Sequence, residues 1–397
     1  MPSPRPEVSG FLADAVLTRS EIDRFLDPER PSWARFDPQL GYLPNASRVP
    51  DGIDDSITTY SYGSLGERVV INHAGAPCRV HTYGDSMTQC HQVSDGETWQ
   101  EYLAAHLGEP IRNFGVGGYG VHQAVARLRR NEDEAPYVVL NVFHDDHFRS
   151  LDKWRLLRVG KVWRDYDASL TTSMFHANPW EHVRFDSDGD LVTLPNLCPT
   201  PESLYDLCDV DFLVDHFADD LVTDVLVGRA TGTFPPDEVH EPLAAALGVP
   251  VREDGQPLVE RVYAAAAIEA SLRMVADLRD HLKARGSRLM IALSYPSSIV
   301  AEHLATGGRP DETFLRGLAD LGLPTLDILE HHRADYADFA CSPQTYVDRL
   351  FIGHYTPGGN HFFAMAMRRA LAGWLHPAPP AYFEPEKSFA VQAARLA

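Results

Sequence analysis

Cysteine is scarce in this chain and scattered: the five residues, Cys78, Cys90, Cys198, Cys208 and Cys341, form no CxxC pair. An odd set without paired spacing excludes a disulfide frame and a zinc cluster as the leading readings, and fits reduced thiols in a cytoplasmic protein. Long apolar runs are missing as well, and nothing approaches the ~20 residues of a membrane-spanning helix. The opening MPSPRPEVSGFLADAV lacks the basic segment and apolar core of a secretory signal, so none is expected. Positive charge is short: 35 Lys and Arg against 56 Asp and Glu leave a net charge of −21. A nucleic-acid backbone or an anionic membrane would repel such a surface, so neither is expected as a partner. Internal repeats and low-complexity tracts are absent too. What is present, 44% hydrophobic and 23% charged residues over 397 positions, suffices for one large domain or two small ones.

Residues 1–75 are rich in Pro, Gly and Asp. The stretch ITTYSYGSLGERVVINHAG suggests a hairpin, and the whole reads as an N-terminal extension wrapped on a main domain at 76–380. From Cys78 onward strand and helix patterns alternate. CRVHTY is a short strand. ETWQEYLAAHLG is a helix in which Thr98 and Glu101 have capping-box spacing and Gly108 is placed to end it. PIRNFGV is a second strand, YGVHQAVARLRRN a helix, and PYVVLNVF an apolar run of the kind buried on both faces of a parallel sheet.

Residues 150–257 interrupt the alternation with an aromatic-rich stretch. An acidic amphipathic segment follows, with apolar positions at Val210, Leu213, Val214, Phe217 and Leu221. The insertion reads as a lid or cap, or equally as a solvated helix packed on the sheet. The alternation then resumes. A long helix is expected around VYAAAAIEASLRMVADLRDHLKARG, with Ile268, Leu272, Val275 and Leu282 on one side and Gly286 as its stop. The strand RLMIALSYP, the helix FLRGLADLG and the strand PTLDIL come next. A last helix follows, with Thr356 as N-cap and Pro357 at its first position, and 381–397 is left as a tail. Such alternation implies a parallel sheet with helices on both faces, and ligands of such folds gather beyond the carboxyl ends of the strands.

Four stretches on that rim could carry chemistry. Ser86 in YGDSMT follows the first core strand, where a hydroxyl can project and backbone N–H groups can receive an oxyanion, provided a base is near. NFGVGGYG crowds Gly115, Gly117, Gly118 and Gly120 at a strand-to-helix junction, and Gly118 could offer a free N–H. A dinucleotide fingerprint is the rival, but no acidic residue ends a following strand in the usual way, although Asp133 lies near the required distance. FHDDHFR ends a buried strand in His144-Asp145-Asp146-His147. That cluster could hold a divalent ion only with ligands from elsewhere, because adjacent side chains of an extended stretch diverge, and the bland alternative is a loop with Arg149 pairing one acid. GHYTPGGNHFFA places His354 just before a helix, whereas His361 falls inside it.

In this order the blocks resemble the SGNH (GDSL-type) hydrolase family, over about residues 78–150 and 258–375. GDSMT is similar to the first block, NFGVGG to the second and HYTPGGNHFFA to the last. The resemblance implies a three-layer α/β/α sandwich of flavodoxin-like type with a central parallel sheet. It also implies Ser86 as nucleophile, His354 as base, the Ser86 and Gly118 amides as oxyanion hole, and no cofactor. The implied activity is an esterase or deacetylase acting on a small or carbohydrate-linked ester. Two departures stand out. Asp145 or Asp146 occupies the place of the third block's asparagine, and Phe351 stands where an aspartate often precedes the histidine. His354 would then work in a dyad, or be oriented by Asp348, Asp145 or Asp146. An acyltransferase using the same serine, metal-assisted hydrolysis at 144–147, and a non-catalytic binding protein are the alternatives.

Overall fold

Five strands make the central sheet: Val80–Tyr83 (β1), Arg112–Asn113 (β2), Tyr137–Phe143 (β3), Arg288–Ser294 (β4) and Thr325–Asp327 (β5). The structure is a computed structural model that describes residues 5–29, 32–160, 178–186, 188–251 and 255–382. The sheet order is β2-β1-β3-β4-β5, and every pairing is parallel. β3 runs beside β4 for seven residues, from Tyr137 opposite Arg288 to Phe143 opposite Ser294, and both strands are buried along nearly their whole length. That explains their unbroken apolar character: neither face meets water. The order reverses after β2, so a topological switch point lies between β1 and β3, where their carboxyl ends open a crevice.

Helices Trp99–Leu107 and Pro357–Trp374 pack together on one face, and Val121–Arg130 and Leu258–Ala284 on the other. The caps follow the sequence. Thr98 accepts from the N–H of Glu101, Gly108 ends that helix at φ 79°, and Thr356 accepts from the N–H of Gly359 with Pro357 in the first turn. Glu101 does not complete the capping box. Its carboxylate accepts from the N–H groups of Ile71 and Asn72 instead, tying the extension to the helix.

The four apolar residues noted on one side of the long helix lie at different depths. Val275 and Leu282 are buried, but Ile268 and Leu272 are only half-buried. The inner stripe runs through Tyr263, Ala266, Ala267, Ala270, Ser271, Val275 and Leu278. Small residues let the helix approach the sheet closely.

The N-terminal region is helix (Pro6–Ala15, Arg19–Leu26), then a hairpin Ala34–Asp37 with Gly41–Pro44, then a strand pair Ser47–Val49 with Thr58–Tyr60. The expected hairpin is reduced to a single bridge between Tyr62 and Arg68, because Arg68 also bridges Asn113 next to the main sheet. The insertion is mixed, not purely helical. It contains the antiparallel pair His182–Phe185 with Leu191–Leu194 and helices Val210–Phe217 and Leu221–Thr231. Helix Val210–Phe217 buries Leu213 and Phe217 and packs against helix Pro6–Ala15. Most of the aromatic-rich stretch (161–177) and of the tail (383–397) lies outside the described residues. Among the described residues all five cysteines are free, and no helix is long and apolar enough to cross a membrane.

Candidate active site

β1 gives way to Gly84, whose φ of +151° suits only glycine; a Cβ there would lie 2.3 Å from Thr88 Oγ1 and 2.5 Å from the Asn141 carbonyl oxygen. The close approach pins the following turn, the short helix Ser86–Gln89, against β3. Asp85 caps it by accepting from the Met87 N–H at 2.8 Å. Ser86 stands first in this helix and is 8% exposed. As expected at a helix start, its N–H finds no acceptor among the described residues.

Gly118 lies beside this turn, since the Val116 N–H donates to the Gly84 carbonyl at 3.0 Å. Its φ is +86°, and its N–H likewise meets no acceptor among the described residues. The preceding carbonyl of Gly117 accepts from the Tyr42 hydroxyl at 2.9 Å. In a trans peptide the C=O and the next N–H point opposite ways, so Tyr42 of the extension turns the Gly118 N–H away from itself. The glycine run does not form a phosphate cradle. The Gly117 N–H donates to Gln89 Oε1 at 2.5 Å, the Gly120 N–H to Gln123 Oε1 and the His122 N–H to Ser150 Oγ. Asp133 pairs with Arg112 and lies 3.3 Å from His81.

His354 comes from the far end of the chain, on the loop entering the last helix. Its Nε2 lies 2.8 Å from Ser86 Oγ, across 268 positions of sequence. Burial, and then the guanidinium groups of Arg149 and Arg155, lower its pKa to about 4, so the ring is neutral at pH 7. His91 is stacked at an angle 5.1 Å away, and burial followed by His354 lowers its pKa too. His361 is exposed, turned towards Tyr102 at 5.3 Å.

Among the described residues no carboxylate meets His354 Nδ1. Asp348 is exposed and accepts from Gln344 on its own helix, and Phe351 packs on Tyr355 at 4.3 Å. Asp145 and Asp146, offered above as orienting acids, are both taken by Arg149. Its Nε donates to Asp145 and its Nη1 to Asp146, each at 2.8 Å; Nη1 also reaches Asp85 at 3.2 Å. Asp146 additionally caps the strand end by accepting from the Phe143 N–H at 2.9 Å. The cause is simple: carboxylates withdrawn from water need a counter-charge, and Arg149 lies four residues from Asp145 and three from Asp146. Burial pushes Asp146 up, with Asp85 adding to it. At Asp145 burial also pushes up, but Arg149 and Arg158 prevail and hold it well below the usual range.

The group that does face His354 is Gln92. Its Oε1 accepts from the His354 backbone N–H at 2.8 Å and lies 3.0 Å from Nδ1. Sequence reasoning missed it, and nothing in CHQVSDG flags it. His144 and His147 do not join the aspartates. His147 Nδ1 lies 2.8 Å from Ser271 Oγ in the interior, and burial lowers its pKa to about 3. The donors of 144–147 diverge, and no group of three His, Cys, Asp or Glu among the described residues is arranged to hold a metal. A separate groove of about 630 Å³, lined by Gln39, His122, Arg130, Glu181 and Arg273 among others, includes neither Ser86 nor His354.

No protein-family model and no curated relative matches the chain. Among solved structures it is similar to a Desulfitobacterium hafniense protein assigned to the lipolytic G-D-S-L family. The identity is 10%, with 73% of this chain and 97% of that one covered and a TM-score of 0.34. It is also similar to the acetyl xylan esterase AlAXEase (12% identity, 74% and 98% covered, TM-score 0.35). A third is Axe2, an acetylxylan esterase from Geobacillus stearothermophilus (11% identity, 73% and 92% covered, TM-score 0.34). At scores this low the likeness adds nothing to what the geometry of the site carries.

Proposed function

We propose that the chain is an SGNH-type serine hydrolase that cleaves a carboxylic ester through an acyl-enzyme. The observation that carries the reading is the 2.8 Å contact between Ser86 Oγ and the neutral imidazole of His354 at the switch point of a parallel sheet. His354 Nε2 takes the hydroxyl proton as Oγ attacks the ester carbonyl carbon. The oxyanion meets the Ser86 and Gly118 N–H groups, which have no other acceptor among the described residues. The imidazolium then protonates the departing alkoxide. Water, activated by the same ring, releases the acyl group and restores Ser86.

The substrate class that fits is a small or carbohydrate-linked ester, in a cytoplasmic setting and without a cofactor. The test is mass spectrometry after incubation with a fluorophosphonate, beside turnover of p-nitrophenyl acetate. One adduct on the peptide containing Ser86 is expected, with adduct and turnover both lost in a folded Ser86→Ala variant. Undiminished turnover by that variant would end the proposal.

A further inference from the structure

Resting on that reading of Ser86 and His354, we propose that Gln92 is the positioning residue that sets the tautomer of His354, and that the segment Asp51–Arg68, outside the sheet, holds it in place. The side-chain amide is fixed at both ends. The His354 backbone N–H can only donate, so the atom 2.8 Å from it must be the carbonyl oxygen, Oε1. The opposite end, Nε2, donates to the Asp51 carbonyl at 3.1 Å, which can only accept. With Oε1 so directed, the ring nitrogen 3.0 Å away must carry the proton. Nδ1–H leaves the lone pair on Nε2, which faces Ser86 Oγ. The same geometry explains why the residue is not an acid: a carboxylate would satisfy His354 but turn a second acceptor towards the Asp51 carbonyl.

The loop that delivers Gln92 is strained. Cys90 and Gln92 adopt φ of 62° and 68°, left-handed conformations that are costly for a residue with a Cβ. It persists because the extension over-determines it. The Tyr60 hydroxyl accepts from the Gln92 N–H at 2.7 Å and donates to Asp51 at 2.9 Å. The buried Arg68 donates to the carbonyls of Gln89, Cys90 and Val93 and to the Asp95 carboxylate. Among the described residues, the charged and titratable groups around His354 are Arg149, Arg155 and His91, with Asp85 on the Ser86 side, its carboxylate 3.4 Å from Oγ. The imidazolium formed during attack therefore has a neutral partner at Nδ1.

The test uses the full chain with p-nitrophenyl acetate across pH 3.5–8. Gln92→Leu keeps bulk and removes the acceptor; kcat/KM is expected to fall about 10²–10⁴-fold, the loss lying in kcat and not in KM. Gln92→Glu restores an acceptor and adds a charge. It is expected to recover at least about tenfold over the leucine variant and to move the acid limb of kcat/KM upward by about one pH unit or more. A folded Gln92→Leu variant with wild-type kcat/KM overturns the proposal. So does an unmoved acid limb in Gln92→Glu, which decides the matter alone if the leucine variant does not fold. Ser86→Ala run alongside separates the two readings. If Ser86 is labelled and required while the Gln92 variants behave as wild type, only the positioning role falls. If Ser86→Ala turns over normally, the parent reading falls.

Discussion

Two four-residue helices stand side by side at the carboxyl ends of adjacent strands, Ser86–Gln89 after β1 and Asp146–Arg149 after β3. Both are short, buried and entered through an aspartate. After β1 the aspartate caps the helix, leaving the serine hydroxyl and its amide facing the crevice. After β3 the carboxylates converge on Arg149, which also reaches back to Asp85. One turn presents a reactive group, and the other is a charge-neutralising post behind it. Equivalent positions on one rim thus acquire different chemistry according to where the counter-charge sits. It also follows that the carboxylates nearest the site are engaged before His354 could use one.

The sharpest way to break this comparison is Arg149→Met. Three carboxylates would lose their shared partner, and a loss of about 3–5 kcal/mol is expected, read as a lower urea midpoint at unchanged slope. A midpoint equal to wild type would mean that the arginine is not the keystone of the second turn. Next in size is the contrast between the two acids. Asp146→Asn cannot accept from both the Phe143 N–H and Arg149, and should cost about 1–3 kcal/mol. Asp145→Asn, whose side chain is 34% exposed, should cost no more than about 1 kcal/mol. Equal losses would remove the distinction drawn between them.

The smallest effect is in pH. The His354 pKa is lowered from 6.5 to about 4, and the base works only when neutral. As pH falls from 8 to 5.5 the ring stays unprotonated, so kcat/KM for a short ester should be nearly flat there and drop only as pH passes through about 4. An acid limb centred near 6.5, the value of a free imidazole, would show that burial and the two arginines do not govern the ring.

The sheet was legible because its signals are local. The apolar runs of β3 and β4, the stop at Gly108 and the N-cap at Thr356 each lie within a few residues of what they govern. Ser86 and His354 were legible because each adjoins such a signal, a strand end or a helix start. Gln92 was not. Its backbone conformation is one that glycine usually marks, and here it carries no glycine; its partners, Asp51 and Tyr60, lie some forty and thirty positions upstream. The partners of Asp145 and Asp146 were half legible. Arg149 sits in the same turn, but Asp85 reaches Arg149, and Arg158 reaches Asp145, only in three dimensions.

Arg68 has a bearing on how the polypeptide could be divided. Its guanidinium is buried and bound to the carbonyls of residues 89, 90 and 93, whereas residues 73–77, which join the extension to β1, are all exposed. Covalent continuity at 73–77 is therefore not what holds the two parts together. Expression from residue 76 onward would remove the clasp that Arg68 forms around the loop carrying Gln92.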